Sequence, residues 1–238
     1  TLGKPLVKGA LLATPNLASR LSDFIPKVVI PGILHDGIVF NPPPAPGEPV
    51  SILYSGSLDN ERGIPLLIDY LEQGDLPPNV VFHITGQGMF SERLCELQKA
   101  HRYSIIFHAT VSQERLAEIR SICHYGLNLQ TSANPISDVT YPSKTFDYLN
   151  AGIRLISTRA AGAEKVLGKA AIYLDEESPA SLRRAILIAI DTLHSESSFD
   201  AINLLNHYSY PGTVKRIKEM LDSTGLLPAF QIHRKPKR

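Results

Sequence analysis

Cysteine, charge imbalance and long apolar runs are all scarce in this chain, and each scarcity removes a class of protein. Among 238 residues there are two cysteines, Cys95 and Cys123. Both lie in predicted helices among apolar neighbours, which points to buried thiols in a reducing compartment rather than a disulfide framework. Lysine and arginine total 24 against 23 acidic residues, a net charge of +1, so the overall balance gives no footprint for nucleic acid. No apolar run approaches the ~20 residues needed to span a bilayer, and no signal peptide is expected. His83, His101, His108 and His124 are scattered, without helix-spaced pairs or flanking cysteines, so no metal site is expected. No serine sits in a nucleophile elbow, and neither cysteine lies in a motif for an activated thiol.

What remains is an ordinary globular composition, 43% hydrophobic and 20% charged, organised as an alternation. Short apolar runs occur at Val50–Ser55, Val80–Thr85, Ser104–His108, Gly126–Gln130, Arg154–Ser157 and Ala171–Leu174. Amphipathic segments follow most of them, near Ile64–Glu72, Ser91–Arg102, Gln113–Cys123, Ser143–Ala151 and Pro179–Leu193. This pattern predicts an α/β fold, a Rossmann-like parallel sheet with helices on both faces. Ligands of such a sheet bind beyond the carboxyl ends of its strands.

The flanks read differently. Residues 1–40 hold two short strands, Ala10–Thr14 and Val28–Pro31, around a helix near Pro15–Phe24. That is too little to bury a core of its own, so the segment is expected to be the tail end of a second α/β domain. The chain starts at Thr1 rather than methionine, and an upstream portion is expected. Residues 41–49, with Asn41-Pro42-Pro43-Pro44-Ala45-Pro46-Gly47, form a stiff proline-rich linker. The main domain is expected over 50–195, terminal helices over 196–225 and a basic tail over 226–238. That tail reads as solvated, with a phosphate- or lipid-touching arm as the alternative.

Three segments can carry chemistry. The first is Tyr141-Pro142-Ser143-Lys144-Thr145-Phe146-Asp147-Tyr148-Leu149-Asn150-Ala151-Gly152. Proline suits a first helical position and Gly152 a C-terminal cap. The helix start offers free N–H groups and a positive dipole end to an anion; Ser143 and Thr145 add hydroxyls, and Lys144 a charge. Asp147 lies one turn on, about 6 Å along the axis, where a carboxylate repels phosphate but accepts from sugar hydroxyls. By spacing alone this is equally a plain capped helix packing through Phe146 and Leu149. The second segment, Tyr54-Ser55-Gly56-Ser57 to Arg62-Gly63, ends the first strand. Gly56 permits close backbone approach, and Arg62 can serve as a bidentate phosphate donor or as a plain surface arginine. The third, Ile84-Thr85-Gly86-Gln87-Gly88, is too short for a dinucleotide fingerprint.

Together, in this order, these segments resemble the family-4 (group 1) retaining glycosyltransferases of GT-B fold. Pro142-Ser143-Lys144-Thr145-Phe146-Asp147-Tyr148 is similar to the family's "PSK-x-(F/Y)-E-Y" helix, and Ile84 to Gly88 to its "G-x-G" strand. Ala109-Thr110-Val111-Ser112 is similar to the segment beside the nucleotide base. The resemblance implies a nucleotide-diphosphate sugar as substrate, with no cofactor and no metal. It places Gly56, Ser57, Arg62, Ser143, Lys144 and Thr145 at the diphosphate, Asp147 and Asp138 at the ribose or sugar, and Gly86 and Val111 near the base. The acceptor, a glycan, lipid-linked or small molecule, would be held by an N-terminal domain that also carries the catalytic residue, before Thr1. The expected setting is the cytoplasm, at the membrane surface if the acceptor is lipid-linked.

The chain also departs from the family. Ser57 stands where an arginine is common, Val139 where an acid is expected, and Asp147 where glutamate is usual. These departures motivate a competing reading, a non-catalytic nucleotide-sugar-binding or assembly module; a sugar-nucleotide epimerase, which can share the GT-B fold, is a third.

Overall fold

The computed structural model describes residues 7–133, 137, 139–193 and 202–225. The expected basic tail and Asp138 lie outside them.

Six strands form one sheet: β3 (Val50–Ser55), β4 (Val80–Thr85), β5 (Ile105–Ala109), β6 (Tyr125–Asn128), β7 (Arg154–Ser157) and β8 (Ile172–Tyr173). Their order is β5-β4-β3-β6-β7-β8, and every pairing is parallel. Helices cover both faces: α2 (Ile64–Glu72), α3 (Ser91–Ala100), α4 (Gln113–Ile122), α5 (Lys144–Asn150), α6 (Ala163–Leu167) and α7 (Pro179–Thr192). A strand buried on both sides needs apolar residues at successive positions. In β3, accordingly, Ile52, Leu53 and Tyr54 are all fully buried. Ile52 and Tyr54 join the core on the α2 and α7 side, and Leu53 the core containing Phe146 and Tyr148 of α5, as the two-residue alternation of a strand requires.

The opening segment makes its own two-stranded parallel sheet, β1 (Ala10–Leu12) with β2 (Lys27–Val29), joined by α1 (Pro15–Ser19). After residue 193 come α8 (Ile202–Tyr208) and α9 (Tyr210–Ser223). Helix α9 returns to the opening segment, and Arg216 donates to the Val29 carbonyl at 2.9 Å.

Several helices begin at a hydroxyl cap. Thr14, Ser178 and Ser209 cap α1, α7 and α9 through their side chains, with proline in the first turn of each. Elsewhere the structure corrects the reading. Helix α1 ends at Ser19 rather than Phe24, and β6 ends at Asn128 rather than Gln130. Helix α6 and the short 3-10 turns at Asn60–Arg62 and Ala160–Gly162 were not foreseen, being too brief for a helical period to show. Cys123 is buried as expected, but it caps α4 rather than lying inside it, and Cys95 is exposed. The proline-rich linker is anchored at its start, where Asn41 Nδ2 donates to the carbonyls of Arg120 and Cys123 at 2.9 and 2.7 Å.

Candidate functional site

The strand order reverses between β3 and β6, so the connections leaving these two strands diverge and open a crevice beyond Ser55 and Asn128. This is where an open parallel sheet binds ligands. Two glycines let backbones meet there. Gly63, with φ +74°, starts α2 so close to β6 that a Cβ would lie 1.6 Å from the Leu129 carbonyl oxygen; at Gly86, φ +140°, it would lie 1.8 Å from that of Gly56. The loops after β3 and β4 are thereby pressed together. They line a cleft of about 740 Å³ with Gly56, Ser57, Asp59, Gln87, Gly88 and Thr110.

Lys144 enters this crevice from α5. Its Nζ sits 4.0 Å from the centre of the Tyr54 ring, and a Cβ on Gly56 would be 3.6 Å from it. The residue is half-buried, but the Nζ has no exposed surface and no hydrogen-bond acceptor among the described residues. Burial, with the positive charge of Arg62 as the smaller cause, pulls its pKa down from 10.5 to about 7. A buried cation without a counter-charge is costly. Among the described residues the ring face of Tyr54 is the electrostatic support the geometry supplies.

Tyrosine hydroxyls set the surrounding frame. Tyr54 donates to the Ser57 carbonyl at 2.8 Å, tying down the loop that passes Lys144. Tyr148, one turn after Lys144 on α5, accepts from the Ser55 N–H at 2.8 Å. Burial raises the pKa of both phenols, so both remain protonated donors. Neither tyrosine stood among the expected site residues, although Tyr54 sits at an inward position of the first strand and Tyr148 one helical turn from the lysine.

The other expected residues divide. Ser143, exposed, precedes α5 with helical φ −56° and ψ −32° and makes no side-chain cap bond; Pro142 stands one residue outside the helix rather than at its first position. The N–H groups of Thr145, Phe146 and Asp147 already bond the carbonyls of Pro142 and Ser143. Among the described residues, the backbone donors at this helix start without an acceptor are thus those of Ser143 and Lys144. Thr145 is fully buried, with its hydroxyl beside Tyr141 rather than in solvent. Asp147 is exposed. Arg62 is exposed in the 3-10 turn before Gly63, close enough for its charge to act on both Tyr54 and Lys144. Ser57 is exposed and hydrogen-bonds Asp59, which puts a carboxylate on the same loop. Gly86 borders the cleft, whereas Val111 packs on the apolar cluster and Thr110 takes the lining position. Among the described residues no histidine, cysteine or carboxylate cluster assembles that would hold a metal.

No family model and no curated protein matches the chain. Solved structures do. The lipopolysaccharide outer core galactosyltransferase WaaB, in its apo form, superposes with a TM-score of 0.67 at 15% identity, over 91% of this chain and 62% of that one. A glycosyltransferase from Rickettsia africae ESF-5 gives 0.67 at 14%, over 92% and 64%. The pneumococcal O-GlcNAc transferase GtfA, solved in complex with UDP and GlcNAc, gives 0.61 at 16%, over 93% and 46%. At these identities the likeness establishes the fold, that of GT-B glycosyltransferases. The chain spans less than two thirds of the length of these structures.

Proposed function

We propose that this chain is the nucleotide-sugar-binding half of a glycosyltransferase, one that moves a sugar from a nucleotide-diphosphate donor to an acceptor. The observation that carries the reading is Lys144: a buried lysine nitrogen with no acceptor among the described residues, at the strand-order reversal of a GT-B sheet. A diphosphate would supply its missing counter-charge, with Arg62 approaching from the β3 side and the outward N–H groups of Ser143 and Lys144 completing the cradle. Ser143 and Gly56 line the path of the phosphates, and Asp147 is the acceptor for ribose hydroxyls one turn down α5.

Charge accounts for how such a site works. The leaving diphosphate gains negative charge as the glycosidic bond breaks, and fixed cations in a water-poor crevice stabilise that change without reorganising. Two cationic side chains and the α5 dipole make metal independence the expectation. Residues 1–40 belong in this reading to the acceptor domain, residues 50–195 to the donor domain, and the remaining acceptor-binding and catalytic groups to a part beyond this chain. A retaining course and a role in polysaccharide or glycolipid assembly follow from the family resemblance. One observation favours the non-catalytic alternative: the Ser57–Asp59 pair sets a carboxylate on the phosphate-facing loop.

Calorimetric titration with UDP, GDP and ADP tests the site. Micromolar-to-millimolar binding of at least one, lost in Lys144→Ala and reduced in Arg62→Ala, is the expected result. Absence of binding by all three would remove the donor-site assignment. Transfer or donor hydrolysis by the full-length protein distinguishes an enzyme from a binding module.

A further inference from the structure

The helix that carries Lys144 is held at its other end by the opening segment. Asn150, the last residue of α5, uses both halves of its amide: Oδ1 accepts from the His35 N–H at 2.8 Å, and Nδ2 donates to the Ile33 carbonyl at 3.1 Å. One turn earlier, Phe146 lies flat against the backbone of Gly32, where a Cβ would be 2.4 Å from the ring. Residues 32–35 come two residues after β2, the last strand of the two-stranded sheet. Seven residues of helix, about 10 Å, therefore join the Lys144 ammonium to the segment that links the small sheet to the large one.

We infer that Asn150 is a positioning residue, through which occupancy of the crevice fixes the crossover at residues 32–35 and with it the orientation of the small sheet. This rests on the donor-site reading. A short helix moves as a rigid rod, because its internal hydrogen bonds do not stretch independently. An anion that draws in Lys144 shifts the whole of α5, and the paired amide bonds of Asn150 carry that shift to two backbone groups of the crossover. Coupling of this kind needs a contact that both ends share; the Asn150 amide and the Phe146–Gly32 contact are two by which α5 meets the crossover, whose Leu34 is also buried in the apolar cluster of α5 and donates to the Tyr208 carbonyl at 2.8 Å. Asn150 itself is about 10 Å of helix away from the ammonium, so it acts on sugar transfer by placing one sheet relative to the other and not by touching the nucleotide.

The test is hydrogen exchange on peptides spanning residues 32–36, with and without UDP, GDP or ADP, in wild type, Asn150→Ala and Asn150→Asp. In wild type the bound diphosphate should slow exchange there by roughly threefold or more. Asn150→Ala should bind the same nucleotide within about fivefold of wild-type affinity yet lose the slowing. Asn150→Asp keeps the acceptor for His35 N–H and should retain part of it. In a transfer assay of the full-length protein, Asn150→Ala should lower kcat while leaving the donor KM within the same fivefold. Equal slowing in Asn150→Ala and wild type, or no slowing in a wild-type protein that binds the nucleotide, would overturn the inference. Binding by none of the three overturns the donor-site reading instead.

Discussion

Replacing Lys144 by methionine should make the ligand-free protein more stable and blind to nucleotide. In the folded chain the ammonium is depressed from 10.5 to about 7, chiefly by burial. At pH 7.5 the unfolded chain binds that proton and the folded chain mostly does not. A lysine so depressed costs about 4 kcal/mol of stability at that pH. The sign follows from proton counting: between pH 7 and about 10.5 the unfolded state binds more protons, so wild-type stability climbs with pH through that window, and the deficit vanishes above it. Methionine has a similar stem and no charge to bury. Recovering half or more of the deficit should raise Tm by roughly 4–16 °C for a chain of this size. The assay is thermal melting at pH 7, 8 and 9, each with and without saturating nucleoside diphosphate. Wild type should gain stability with pH and with ligand, by about 2.7 kcal/mol at a hundredfold excess over Kd; Lys144→Met should show neither slope. A variant that melts below wild type without ligand, or that keeps the same pH slope, would refute the claim that this ammonium is buried uncompensated.

Other consequences can be measured independently. Since Lys144 must take up a proton to meet an anion, affinity for a nucleoside diphosphate should fall between pH 7.5 and 9 by up to about tenfold per unit, and binding enthalpy should vary with the buffer's ionisation heat. Pyridoxal phosphate followed by borohydride should label Lys144 through imine formation and reduction, with protection by the nucleotide; peptide mapping reads this. Gly86→Ala forces a methyl onto the Gly56 carbonyl at φ +140° and should cost about 3 kcal/mol in denaturant melts. Thiol titration of the native protein should find Cys95 reactive and Cys123 silent, the latter buried with its pKa pushed up to about 12.

Much of the architecture was readable because it obeys local rules. Runs such as Val50–Ser55 and Val80–Thr85 are mostly apolar, as strands covered on both faces tend to be, and their alternation with amphipathic segments leaves few topologies open. The Pro142–Gly152 segment was recognisable by residue type, but it remained balanced between an anion site and a capped helix. Spacing along one helix cannot say what faces it, and the partner of Lys144 comes from a strand about 90 positions earlier.

That is where sequence and tertiary structure divide. Chain order by itself determined where the sheet strands and the longer helices fall, since hydrophobic period and capping act within a few residues. Only the folded chain decided that the order reverses between β3 and β6, that Lys144 lies over Tyr54 without a counter-charge, that Thr145 is turned inward beside Tyr141, and that Asn150 grips the crossover at Ile33 and His35. Each depends on groups distant in sequence meeting at angstrom range, where burial and unpaired charge take their energies from neighbours that no local pattern specifies.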